Sequence, residues 1–131
     1  MVTTDFTTSN CSRAALLASY GYVTLALAFY GVADLPSLYD SFDLNYFELA
    51  ADWLLALPQV RGARLGLYGS STGGNLALSI MSSTPDKVAA CVVSGAAFAS
   101  LPGHTYYQGQ ASLISYITYD EIMIIMMMMT T

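Results

Sequence analysis

The sequence predicts an α/β fold: a parallel sheet of about three strands flanked by helices. Two observations carry that prediction. Apolar helical stretches alternate along the chain with short strand-like runs, the order produced when crossover helices return the chain to a parallel sheet. The strand-like runs are apolar throughout rather than alternating, as in strands covered on both faces.

The elements follow in order. Arg13 to Tyr20 (RAALLASY) reads as a short apolar helix with Gly21 as its C-terminal cap. Val23 to Phe29 (VTLALAF), bounded by Gly21 and Gly31, reads as a buried strand. Asp34-Leu35-Pro36 marks a loop. A second helix is expected from about Asp43, its N-cap, to Leu57, ended by Pro58. Its inner side carries Phe47, Ala50, Leu54 and Leu57, and its solvated side Asn45, Glu48 and Asp52. Arg64 to Tyr68 is a short strand, Gly69 to Gly74 a tight turn, and a helix follows to about Met81. Pro85-Asp86 is a turn, and Val88 to Val93 (VAACVV) the last clear strand.

These elements fall within residues 1–110, and residues 111–131 are expected to form an atypical tail. Ile122 to Met129 reads IMIIMMMM, a low-complexity run too short to span a membrane and the mark of a truncated domain. The uncharged stretch from Ala14 to Ala33 is interrupted by Gly21, so a helix followed by a strand explains it better than a membrane span.

Composition narrows the function classes. Of 131 residues, 55% are apolar and only 10% charged, whereas about a quarter charged is usual in soluble domains. The net charge is −5, and Arg13, Arg61, Arg64 and Lys87 form no basic face, which argues against nucleic-acid binding. Cys11 and Cys91 show no metal-ligand spacing, so neither a metal site nor a disulfide framework is expected. A reducing intracellular compartment is the default, cytoplasmic in the absence of a polar-to-apolar leader pattern.

The chemistry concentrates at Gly69-Ser70-Ser71-Thr72-Gly73, a G-x-S-x-G sequence after a strand and before a helix. That context is the nucleophile elbow of α/β-hydrolase-type sheets. The nucleophile, Ser71, must stand at the tip of a sharp turn, and glycines on either side remove side chains that would collide across it. The backbone N–H of Thr72 then points to where an oxyanion would form. Gly69 to Gly74 also fits the glycine spacing of a phosphate-binding loop, but Asn75 stands where that loop needs lysine. No dinucleotide fingerprint is present, and no cofactor is expected.

Four segments resemble a known family: RAALLASYG (Arg13 to Gly21), YGVADLP (Tyr30 to Pro36), YFELAADWLLALP (Tyr46 to Pro58) and GLYGSSTGGNLALSIMS (Gly66 to Ser82). They are similar to the C-terminal domain of the acyl-CoA thioesterase and bile acid-CoA:amino acid N-acyltransferase family. The resemblance, over roughly Arg13 to Gln110, implies a partial α/β-hydrolase fold and an acyl-CoA substrate. It implies hydrolysis where the nucleophile is serine and conjugation to an amino acid where it is cysteine, so Ser71 points to a thioesterase. Mitochondrial and peroxisomal sites join the cytoplasm among the implied compartments. Two departures stand out. Thr72 replaces the basic residue that follows the nucleophile in the family, and DFTTSNCS (Asp5 to Ser12) replaces its glycine-rich loop, the source of a second oxyanion donor.

A serine hydroxyl needs a base, and the base needs an acid to orient it. After Ser71 the acids are Asp86, Asp120 and Glu121, and the single histidine of the chain is His104. Asp86 follows the nucleophile helix and is expected about 15 Å from Ser71, at the opposite edge of the sheet. His104 sits in what reads as a Gly/Tyr-rich loop (PGHTYYQGQ) and is the candidate base. In the family the acid and histidine lie further along than this chain extends. The main expectation is a serine thioester hydrolase; amino-acid acyltransfer and an inactive fragment that keeps the fold are the alternatives.

Overall fold

The computed structural model describes residues 8–28, 34–35, 41–95, 104–112 and 123–129. Helix α1 spans Thr8–Ser19 and leads through Gly21, at φ 88°, into strand β1, Tyr22–Leu27. A three-residue strand β2 (Ser41–Asp43) runs straight into α2 (Leu44–Leu55). Strand β3 (Leu65–Ser70) ends at the elbow, α3 (Thr72–Ser83) leaves it, and β4 is Val88–Ser94. Strands β5 (His104–Tyr107), β6 (Gln110–Ser112) and β7 (Met123–Met129) complete the described elements.

The predicted strands are present as β1, β3 and β4, but the sheet differs from three parallel strands. It has four strands in the order β1-β7-β3-β4. β3 and β4 pair in parallel, while β7 pairs antiparallel with both β1 and β3. The apolar run expected in an atypical tail therefore forms a strand inside the sheet. The physical reason is that an apolar run states a capacity for burial and says nothing about its partner. β1 and β3, both antiparallel to β7, run in the same direction with one strand position between them, and the uncharged 123–129 segment occupies it.

A second sheet, in the order β2-β5-β6, was not expected. β2 and β5 are parallel, and β5 and β6 form a hairpin across Gln108-Gly109. Both turn residues have positive φ (50° and 75°), the requirement of the tight turn that matches strand twist. His104 is thus the first residue of a strand rather than a loop residue.

The core lies where α2 and α3 meet β3. Phe42, Leu44, Phe47, Ala51 and Leu54 bury together with Leu65, Leu67, Leu76, Ala77, Ile80 and Val88. Each large side chain here contributes roughly 1.5–3 kcal/mol by leaving water. The buried stripe of α2 is Leu44, Phe47, Ala51 and Leu54, with Ala50 only partly covered. α2 starts as predicted: Asp43 is extended (φ −92°, ψ 108°), and its Oδ1 accepts a hydrogen bond from the Asn45 N–H at 3.0 Å.

Coverage of the strands is less complete than the apolar runs suggest. β3 alternates between buried and half-buried residues, and in β4 Ala89, Ala90, Val92 and Ser94 are exposed. Among the described residues no helix is long and apolar enough to cross a membrane.

Candidate active site

The elbow forms at the end of β3. Ser70 is the last strand residue, Ser71 the N-cap of α3, and Thr72 its first residue. Ser71 has φ 54° and ψ −124°, a conformation that disfavours residues with a Cβ. Holding it there costs on the order of 1–3 kcal/mol, which the surrounding contacts must offset.

Those contacts are specific. The Ser71 N–H donates to the Ser94 carbonyl at 2.8 Å, tying the elbow to the end of β4. The Ser71 carbonyl accepts from the N–H groups of Gly74 (2.9 Å) and Asn75 (3.3 Å), which opens α3. Gly69 allows the turn to close. A Cβ there would collide with the Gly73 carbonyl and would stand 2.7 Å from the Gly74 nitrogen. Glycine is required at position 69 by backbone against backbone, with no flexible side chain to move aside.

Ser71 is half-buried, whereas Thr72, Gly73, Gly74 and Asn75 are buried beneath it. The hydroxyl of the elbow therefore sits at the surface of a packed helix start. Asn75 is 6% exposed, and its Nδ2 has no hydrogen-bond partner among the described residues. A neutral, buried amide occupies the place where a phosphate loop would present lysine.

Topology places His104 in relation to this elbow. The Tyr46 hydroxyl donates to the Ala28 carbonyl at 2.7 Å, joining the first turn of α2 to the end of β1. Because β1 and β3 run in the same direction, that end lies on the elbow's edge of the sheet. β2 enters α2 from there, and His104 pairs in register with Ser41 of β2. The backbone of His104 is thus on the elbow side of the fold; its side chain lies outside the described residues. Asp86 is exposed in the turn between α3 and β4, at the opposite edge. Asp120 and Glu121, and the segment Asp5 to Thr7, also lie outside the described residues.

Glu48 and Asp52, expected on a solvated helix face, have a structural partner that the sequence reading missed. Lys87 Nζ lies 2.9 Å from Glu48 Oε1 and 2.6 Å from Asp52 Oδ1. The Tyr107 hydroxyl donates to Glu48 Oε2 at 3.1 Å. The two carboxylates hold the Lys87 ammonium above its ordinary pKa, Asp52 most strongly. This cluster pins α2 to the turn before β4 and to β5, which anchors the strand headed by His104. The i, i+4 spacing of Glu48 and Asp52 was visible; the lysine 39 residues away was not. Burial pushes the Cys91 thiol up, away from reactivity. No group of three or more potential metal ligands occurs among the described residues.

Comparison with known proteins points the same way as the elbow. Residues 42–129 match the family described as BAAT / Acyl-CoA thioester hydrolase C terminal. The chain is 42% identical over 98 residues to acyl-coenzyme A thioesterase 2, mitochondrial, of Homo sapiens, covering 75% of this chain and 20% of that protein. It is 46% identical over 84 residues to acyl-coenzyme A thioesterase 5 of Mus musculus, covering 64% and 20%. It is 38% identical over 109 residues to the peroxisomal succinyl-coenzyme A thioesterase of Mus musculus, covering 82% and 25%. The chain spans about a fifth to a quarter of the length of these curated relatives.

Proposed function

Since the chain belongs to the BAAT / acyl-CoA thioester hydrolase C-terminal family, we propose that Ser71 is the nucleophile of a thioesterase acting on fatty acyl-CoA. The observation that carries this reading is the backbone of Ser71, a non-glycine residue at φ 54° between β3 and α3. Such strain persists where the surrounding structure enforces it, and here Gly69 and the Ser94 carbonyl do so.

In the proposed reaction Ser71 Oγ attacks the thioester carbonyl carbon. The hydroxyl proton passes to a base, the C–S bond breaks, and CoA leaves as its thiol after protonation. Water then attacks the acyl-enzyme ester and releases the carboxylic acid. The tetrahedral oxyanion would accept a hydrogen bond from the Thr72 backbone N–H at the start of α3, where the helix dipole also favours negative charge. His104 is the candidate base, supported by the placement of its backbone on the elbow's edge.

The sheet carrying the elbow is read as part of an α/β-hydrolase fold. Its parallel β3–β4 pair and the strand-elbow-helix order support this. A compartment inside the cell fits relatives named as mitochondrial and peroxisomal.

The test is CoA release from a long-chain acyl-CoA, read with a thiol reagent, for the wild type and for Ser71→Ala. Loss of all release in Ser71→Ala supports the reading. Release unchanged in Ser71→Ala, or none from a folded wild type, contradicts it. Acyl transfer to an added amino acid, detected as the conjugate, would replace hydrolysis by the conjugating reaction.

A further inference from the structure

The carboxylate of Glu48 joins two parts of the fold through its two oxygens. Oε1 accepts from Lys87 Nζ at 2.9 Å, and Oε2 accepts from the Tyr107 hydroxyl at 3.1 Å. The two donors belong to different units. Lys87 lies in the turn after α3, and its main chain is fixed on both sides. Its N–H donates to the Thr84 carbonyl at 3.1 Å, and its carbonyl accepts from the Leu65 N–H at 2.8 Å. Thr84 caps the end of α3 and Leu65 begins β3, so Lys87 is held by the two elements that form the elbow. Tyr107 is the last residue of β5, the strand that His104 begins.

Strand pairing does not connect these units. Among the described strands β5 pairs with β2 and β6, whereas the elbow's sheet is β1-β7-β3-β4. The place of β5 relative to β3 and α3 is therefore set by side chains, through α2. The half-buried Tyr107 packs against the core that α2 shares with α3 and β3. Its hydroxyl adds a directional constraint that apolar contact lacks. The Lys87 and Glu48 side chains are only 27% and 25% exposed, which shields the pair from part of the solvent screening. β5 runs parallel to β2, from His104 at the elbow's edge inward to Tyr107. Three residue steps separate the two, roughly 10 Å of strand.

We propose that Glu48 and Tyr107 are positioning residues for the acyl transfer. The Glu48 carboxylate, held by Lys87, fixes through Tyr107 the strand that carries His104 relative to the helix that carries Ser71. This rests on the reading of Ser71 as nucleophile and His104 as its base. A base works only within hydrogen-bond reach of the proton it takes, and a misplacement of about 1 Å can slow a reaction on the order of a hundredfold. The position requires a carboxylate. Glutamine has the same shape, but its amide nitrogen can only donate, so it cannot accept from Lys87 and Tyr107 together.

The test is the rate of Ser71 labelling by a fluorophosphonate in Tyr107→Phe, Glu48→Gln, the two combined, and Tyr107→Phe with His104→Ala. Each single change is expected to slow labelling about tenfold, and the pair no more than either alone, since both break one bridge. In the His104→Ala background, itself slower than wild type, Tyr107→Phe is expected to change nothing further. A merely structural role would slow labelling by the same factor with and without His104. Tyr107→Phe removes one oxygen and keeps the ring in the core, and circular dichroism melts set a temperature at which every variant is folded. Single variants that label at the wild-type rate overturn the proposal. So does an equal slowing in both backgrounds, or slowing that multiplies when the two changes are combined. Those results leave the base reading intact if His104→Ala alone is slow. His104→Ala labelling as fast as wild type would overturn that reading and the proposal with it.

Discussion

Gly69→Ala isolates the contact that closes the elbow. The added Cβ would stand 2.7 Å from the Gly74 nitrogen, about 0.7 Å inside the 3.4 Å at which ordinary contact begins, and closer still to the Gly73 carbonyl. Both neighbours are main-chain atoms of the first turn of α3, so relief requires moving the helix start away from β3. That movement works against the Gly74 and Asn75 bonds to the Ser71 carbonyl and the Ser71 bond to Ser94. Overpacking of this kind costs about 2–4 kcal/mol once a hydrogen bond is lost with it. At roughly 3–5 °C per kcal/mol for a domain of this size, the melting temperature should fall by about 6–20 °C. Gly109→Ala supplies the control. Gly109 also has positive φ, 75°, but its Cβ would meet nothing within 4 Å, so only the backbone penalty of about 1 kcal/mol applies. Thermal denaturation of both variants by circular dichroism separates the two costs. If Gly69→Ala costs no more than Gly109→Ala, the close approach of strand and helix is not what shapes the elbow.

Three further predictions rest on other contacts. Ser71→Gly should be more stable than Ser71→Ala by about 1–2 kcal/mol, because glycine relieves the strain at φ 54° and alanine does not; equal chemical-denaturation midpoints would remove strain from the account. Asp43→Ala should cost about 1 kcal/mol through loss of the α2 cap, read as a lower urea midpoint at an unchanged slope. Lys87→Gln should destabilise the protein modestly at neutral pH, and the deficit should shrink in alkali. The Lys87 pKa is raised in the folded state, so its contribution is complete below the unfolded value of about 10.4 and is lost as pH climbs through the folded value. A deficit that stays constant from neutral pH to well above that value would show that the ion cluster does not stabilise the fold.

Parts of this structure were legible in the sequence for local reasons. The elbow announced itself because its constraint is short-range: glycines at 69 and 73 around a serine, after a strand and before a helix. The start of α2 was equally local, since Asp43 caps a main-chain N–H two residues on. What the sequence concealed depends on pairing at a distance. The run Met123–Met129 looked like a tail because its composition is unusual, yet its lack of charge is what a central strand position requires. The β5–β6 hairpin escaped because its turn uses Gln108, a residue seldom at positive φ, before Gly109. Glu48 and Asp52 read as solvated because helical spacing cannot reveal Lys87. For the site itself, Ser71 and its backbone environment followed from the motif. The placement of His104 required the register of β5 on β2, which no spacing rule supplies.

The most direct measurement is covalent labelling of the folded chain with a fluorophosphonate, read by mass spectrometry of the peptide that carries Ser71. The account predicts one adduct per chain, located on Ser71 and absent in Ser71→Ala. It predicts slower labelling in His104→Ala, as expected if that histidine takes the Ser71 proton. A folded chain that acquires no adduct at Ser71, or one labelled equally after Ser71→Ala, would contradict the claim that this elbow presents an activated nucleophile.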